Sequence, residues 1–239
     1  SVGYNLRGIL SAASAVRDRL SQEHWNLIVR AEAEFFAQPG DGDCSPLEAL
    51  RLLEALVGRT AAMTGEQTDR MTRDDGWRML SIGRHLERLG FLAGALEQGL
   101  QTGAVLEEGG FEALLALFDS TITFHAQYQQ RRDLPALLDL LVMDRDNPRS
   151  LAWVAQTLLG RVAKIEASAG APGGTAGAGI PDTAALSLEA LCARTEEGRY
   201  AALEQYLRAC REGVWQLSDL LATRYFTHSA DALRHSLGA

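Results

Sequence analysis

The chain has 239 residues, of which 46% are hydrophobic and 23% charged, and a formal net charge of −8. That is enough apolar material for a sizeable core and excludes a wholly disordered chain. The acidic balance excludes a general binder of nucleic acid or of anionic membranes, because both need clustered positive charge.

Apolar residues recur at three and four throughout, and no strand-like alternation is found, so the expected fold class is all-α: a bundle of about eight helices in a single domain, 1–239. A first helix is expected from Leu6 to Leu20 with Ile9, Ala13, Val16 and Leu20 on one stripe. Ser21 reads as the N-cap of a second, carrying Trp25, Leu27, Ile28 and Phe35. Pro39 to Asp43 is a loop. Ser45 caps and Pro46 opens a third helix, with Leu47, Leu50, Leu53, Leu56 and Val57 as its apolar face. Thr72-Arg73-Asp74-Asp75 has the shape of a capping box and starts a long helix, about Arg73 to Gln101. Another helix is expected from Phe111 to Gln130, with Leu114, Leu117, Phe118, Ile122 and His125. Asp133 caps a short one ending near Met143. Asp146-Asn147-Pro148 breaks the chain before a helix to about Glu166. Residues 168–183 are rich in Gly and Ala and read as a flexible loop. The last two helices are expected over about Ala185–Glu197 and Arg199–Tyr225, with Trp153 and Trp215 in the core and a frayed tail from Thr227.

Chemistry is sparse. Three cysteines, Cys44, Cys192 and Cys210, are far apart and odd in number, which fits a reducing cytoplasm and no disulfide framework. No run of about 18 apolar residues that would span a membrane occurs. No phosphate loop, nucleophile elbow or metal-ligand spacing is found, so no metal and no cofactor are expected. Ser1-Val2-Gly3-Tyr4-Asn5 is no signal peptide and lacks an initiator Met, as expected of a processed product or of an excised fragment of something longer. Arginine supplies almost all the positive charge, Lys164 being the single lysine. Genome composition accounts for that, and so do buried planar ion pairs.

The long helix is the most informative element. Met79, Ile82, Leu86, Leu89, Ala93 and Leu96 line one stripe at bundle spacing. The opposite stripe holds Arg73, Trp77, Leu80, Arg84, Glu87, Arg88 and Phe91. A helix apolar on two sides is usually internal, which would bury Arg84, Glu87 and Arg88, with Glu87 meeting Arg84 and with Asp18, Glu23, Asp74 or Asp75 as further partners. An exposed decoration, a buried structural network and a ligand site are three readings of this stripe. His85 lies between the stripes and reads as a flank residue. Arg149, in the first turn of its helix, opposes the helix dipole and is expected to point to a partner elsewhere.

The blocks Val16-Arg17-Asp18-Arg19-Leu20-Ser21, Met71-Thr72-Arg73-Asp74-Asp75-Gly76-Trp77, Gly83-Arg84-His85-Leu86-Glu87-Arg88 and Asp146-Asn147-Pro148-Arg149-Ser150 resemble, in order, those of the bacterial alpha-E domain, an all-helical family named for its Glu-Arg motif. The resemblance covers roughly Asn5 to Phe226. It implies a further helix before Asn5, which this chain lacks. It also implies association with a circularly permuted ATP-grasp ligase, often fused, and a neighbouring transglutaminase-like protein. On it the chain is expected to be an accessory domain of an amide or peptide ligase system, docking the ligase or its peptide substrate. An enzyme with Glu87 as acid or base and a structural or oligomerisation scaffold are the alternatives. The candidate ligand or network residues are Arg84, Glu87, Arg88, Arg73, Trp77, Arg17, Asp18 and Arg149. A homo-oligomer is compatible with the sequence; nucleic acid and membrane are not expected as partners.

Overall fold

A computed structural model describes residues 1–37, 45–129, 131–170 and 179–226. The expected loop at 39–43, Cys44, the centre of the Gly/Ala-rich stretch and the tail from Thr227 lie outside these residues. Among the described residues there are ten α-helices and no strand, so the all-α expectation holds. The chain packs as two compact units, Ser1–Trp77 and Arg78–Ala239.

In the first unit, α1 (Val2–Ala15) gives way to a 3-10 turn at Arg17–Arg19. Ser21 accepts the His24 amide at 3.0 Å and starts α2 (Gln22–Phe36). Pro46 opens α3 (Pro46–Gly65), where Ser45 and Glu48 form a reciprocal capping box; a π-helical turn, Glu66–Arg70, prolongs it. The core here is small: Leu6, Ala13, Ile28, Ala31 and Met63. Two expected faces are corrected. On α1, Ile9 and Val16 are exposed, while Leu6, Leu10 and Ala13 face inward. On α3, Leu47, Leu50, Leu53 and Val57 are exposed. Leu56 turns inward as expected, joined by Leu52 and Met63, with Arg59 on the same stripe gripping Glu34 of α2 at 2.7 and 3.0 Å. A helix with two apolar stripes leaves the choice of face to the element it packs against, and the inward stripe here is the one that also carries Arg59.

The long helix α4 (Asp75–Gln101) begins two residues later than expected. Asp74, not Thr72, is the capping side chain: its Oδ1 accepts the Trp77 amide at 3.0 Å. The expected seam is buried, with Ile82, Leu86, Leu89, Ala93 and Leu96 all inside and Met79 packed against them. The second unit builds on it with α5 (Glu108–Leu117), α6 (Thr121–Tyr128), α7 (Leu134–Leu138), α8 (Leu151–Ser168), α9 (Leu188–Cys192) and α10 (Ala201–Tyr225). The single helix expected over Phe111–Gln130 is split, because Asp119 takes a left-handed conformation (φ 49°) that no right-handed helix continues through. Leu114 and Phe118 stay in the core, whereas Leu117 and Ile122 lie outside. Trp215 is likewise exposed, while Trp153 packs against the core. On α10, Leu203, Leu207, Leu217 and Leu221 are buried as expected. Gly213 lets the backbone at Gly179 pass in contact with α10, where any side chain would collide with the Gly179 carbonyl. No helix among the described residues is long and apolar enough to cross a membrane.

Candidate functional site

In the first unit, two of the motif blocks meet. Asp18, Arg19, Ser21 and His24 line a cleft of about 310 Å³ with Glu66, Arg70, Met71, Thr72 and Asp74. Its charges close on one another. Arg19 pairs with Asp74, Arg70 with Glu66 at 3.2 Å, and the Ser21 hydroxyl donates to Glu66 at 3.4 Å. The Trp77 amide, and after it Arg19, holds the Asp74 carboxyl below the usual range. His24 is buried; burial lowers its pKa and Glu66 pushes the other way. Its ring Nε2 lies 3.4 Å from the Gln67 amide nitrogen. The other expected residues of this unit do structural work around the cleft. Arg17 lies over the Trp25 ring and donates to the Leu20 carbonyl at 3.0 Å. Arg73 lies over Trp77, whose indole N–H donates to the Gln67 carbonyl at 2.7 Å.

The second unit gathers Arg84, Arg88 and Arg149. Arg84 and Arg88 are one turn apart on α4 and half-buried, whereas Glu87 between them is exposed and makes no hydrogen bond or ion pair among the described residues. The internal stripe expected on this side of α4 is therefore corrected: Leu80 and Phe91 are also exposed, at 39% and 58%. The helix has one apolar face only, and Arg84 and Arg88 sit at its margin.

Inside that margin lies His85, 4% exposed. Its Nδ1 is 2.6 Å from the Ser81 carbonyl oxygen. A carbonyl only accepts, so Nδ1 carries the proton and Nε2 presents a lone pair. Nε2 is buried and has no hydrogen-bond partner. The ring packs against Trp153 of α8, centroids 5.8 Å apart. Burial, opposed by the Ser81 hydrogen bond and reinforced by Arg161, Arg88 and Arg84, pushes its pKa down to about 4. Burial and then Arg149 and Arg84 lower that of Arg88.

The Asp-Asn-Pro-Arg-Ser block explains how Arg149 arrives here. Asp144 Oδ1 accepts the amides of Asp146 and Asn147 at 2.8 and 3.2 Å. The Asn147 side chain donates to the Ser120 hydroxyl and the Leu140 carbonyl and accepts the Arg149 amide. Ser150 then caps α8 by accepting the Trp153 amide at 3.1 Å. Arg149 is held one turn before Trp153, at the positive end of α8, and reaches Asp119 at 3.2 Å. His85 and Arg161 were not among the residues expected from sequence. The signal for His85 was present: it falls three after Ile82 and four before Leu89, which is core spacing.

Glu87-Arg88 is the one Glu-Arg dipeptide in the chain. The sequence matches the Alpha-E family, "a predicted alpha-helical domain with a conserved ER motif", over residues 1–226. The chain belongs to the Alpha-E family. Similar curated proteins are the uncharacterized protein Rv2567 of Mycobacterium tuberculosis and the uncharacterized protein Mb2597 of Mycobacterium bovis, each 28% identical over 176 residues, which is 71% of this chain and 20% of theirs. The chain thus spans about a fifth of the length of the relatives it matches. No solved structure matches. In this Alpha-E domain the two letters of the motif part company: Glu87 faces out and Arg88 turns to the α4–α8 margin. Among the described residues no group of three or more His, Cys, Asp or Glu side chains is placed to hold a metal ion.

Proposed function

We propose that this Alpha-E domain is a non-catalytic accessory domain of an ATP-grasp amide or peptide ligase system, which docks the ligase or its peptide substrate through an anionic group. The observation that carries the reading is Arg88. It is half-buried, its charge is disfavoured by burial and then by Arg149 and Arg84, and it has no carboxylate partner among the described residues. A desolvated guanidinium without an acid is unfavourable until an anion joins it, and guanidinium takes carboxylate or phosphate in a two-pronged hydrogen bond. The ligase as partner rests on the family resemblance, with the transglutaminase-like protein as a further one. Glu87 as an acid or base is less well supported, because an exposed carboxylate lacks the desolvation such a role needs. Pull-down of the cognate ligase with the purified domain tests the reading. Capture by the native domain and loss of it in Arg88→Gln is the expected result; no association at micromolar concentrations overturns it.

A further inference from the structure

Another cavity, of about 420 Å³, lies in the second unit between α8 and the chain that follows Gly179. That volume is within the range of small-molecule sites, roughly 300–1,000 Å³. The segment that forms one side is anchored. Gly179 is pressed against Gly213 of α10, and Ile180 is buried in the core. Asp182 Oδ1 then accepts the Ala184 amide at 2.8 Å and starts a 3-10 turn, Thr183–Ala185. Pro181 and Ala184 from this side, with Ala155 and Leu159 of α8, give the cavity an apolar lining.

Three polar groups line the same space without being satisfied in it. Thr183 is only 8% exposed, yet its hydroxyl has no hydrogen-bond partner among the described residues. A polar group in a side chain more than nine-tenths buried normally has one. Arg145, just before α8, makes no ion pair or hydrogen bond among the described residues, and Asp182 uses only Oδ1. A guanidinium and a carboxylate thus line one cavity without pairing with each other.

A complementary ligand carries an apolar group for the lining, a carboxylate for Arg145 and an N–H for Asp182. Guanidinium takes a carboxylate in two parallel hydrogen bonds. The Thr183 hydroxyl can donate to that carboxylate or accept from the N–H. An amino acid with an apolar side chain has all three features around one carbon atom. A phosphate lacks the apolar part, and a single guanidinium beside a carboxylate leaves its second charge unmatched. We propose that this cavity binds an apolar amino acid by its carboxylate, either free or as the last residue of a peptide. The site uses none of the residues assigned to docking, so a failed pull-down of the ligase leaves it standing, and its own failure leaves the docking reading standing.

Titration calorimetry of the whole chain at pH 7 with leucine, N-acetyl-leucine and leucinamide tests this. Leucine or N-acetyl-leucine should bind at least tenfold more tightly than leucinamide, which has the side chain but no carboxylate. The glycine counterpart of whichever binds, which lacks the apolar group, should also be at least tenfold weaker. Binding of leucine alone names the free amino acid as the source, and binding of N-acetyl-leucine names the peptide end; either supports the proposal. Arg145→Gln, at an exposed position, should abolish the preference over leucinamide. Thr183→Val, which keeps the shape and removes the hydroxyl, should weaken binding. Should a variant fail to fold, the backbone amide signals of Thr183 and Ala184 in the native chain serve instead, and the ligand should shift both. Affinity for leucinamide or for the glycine counterpart equal to that for the leucine compound overturns the proposal. So does the absence of binding by leucine and N-acetyl-leucine at millimolar concentration, or binding that neither variant changes and that leaves both amide signals in place.

Discussion

Among the described residues each unit buries one histidine, and the two are treated in opposite ways. His24 lies beside Glu66 and Gln67, in a cleft where Arg19 and Arg70 already hold carboxylates. His85 lies among Arg161, Arg88 and Arg84, with nothing at its free nitrogen. The first arrangement is complete in itself: each cation has its acid and the imidazole has a polar neighbour. The second holds a ring nitrogen with no hydrogen-bond partner where neighbouring guanidiniums disfavour its protonation. The difference teaches that burial keeps one imidazole beside an acid and the other neutral among guanidiniums that disfavour its protonation.

The comparison of the two cores is broken most easily by deletion. Leu89 is fully buried in the larger core, and Leu89→Ala should cost about 3–5 kcal/mol, against about 2–3 kcal/mol for Met63→Ala in the smaller one. Urea denaturation of both variants checks this, and equal losses would mean that the first unit is packed as tightly as the second. The histidines give the next effect. With a folded pKa near 4 against about 6.5 unfolded, His85 stays neutral while the unfolded chain takes up a proton, so stability falls as pH drops from about 6.5 to 4 and levels off below. Its share is about 3 kcal/mol. The loss on going from pH 7 to 4.5 should therefore be smaller in His85→Gln than in the native chain; His24 contributes in the same direction in both. If the two curves coincide, burial and the neighbouring guanidiniums do not hold the His85 ring neutral as described. Ser150→Ala removes the α8 cap and should cost about 1 kcal/mol by thermal denaturation. At the small end, Glu87→Ala should change stability by less than about 0.5 kcal/mol, because an exposed side chain without partners strands nothing when removed. A loss of several kcal/mol would instead return Glu87 to a buried network.

Much of the fold was legible. The caps Ser21, Ser45 and Asp133 each accept the expected backbone amide, and the α4 seam is buried as its spacing requires. What failed was the choice of face where a helix carries two apolar stripes. On α3 the expected face holds only at Leu56; Leu47, Leu50, Leu53 and Val57 are exposed, and the inward stripe runs through Leu52 and Met63 instead, a choice made by what α3 packs against. The split between α5 and α6 was hidden for a related reason: a left-handed Asp119 leaves the apolar spacing on either side intact. Of the candidate site, Arg84, Arg88 and Arg149 were readable as arginines needing partners. That they share one margin, and that His85 sits beneath them, depends on α4 meeting α8, a contact between residues far apart in the chain.

The hydrogen bond from His85 to the Ser81 carbonyl has a use beyond chemistry. The same carbonyl lies one turn back on α4, where a helix also needs it for its own ladder. The ring therefore keeps a single tautomer only while that turn stays wound, and unwinding would release both forms. The nitrogen-15 spectrum of one imidazole thus becomes a built-in strain gauge for the longest helix, readable through heating, partner binding or mutation without adding a label elsewhere.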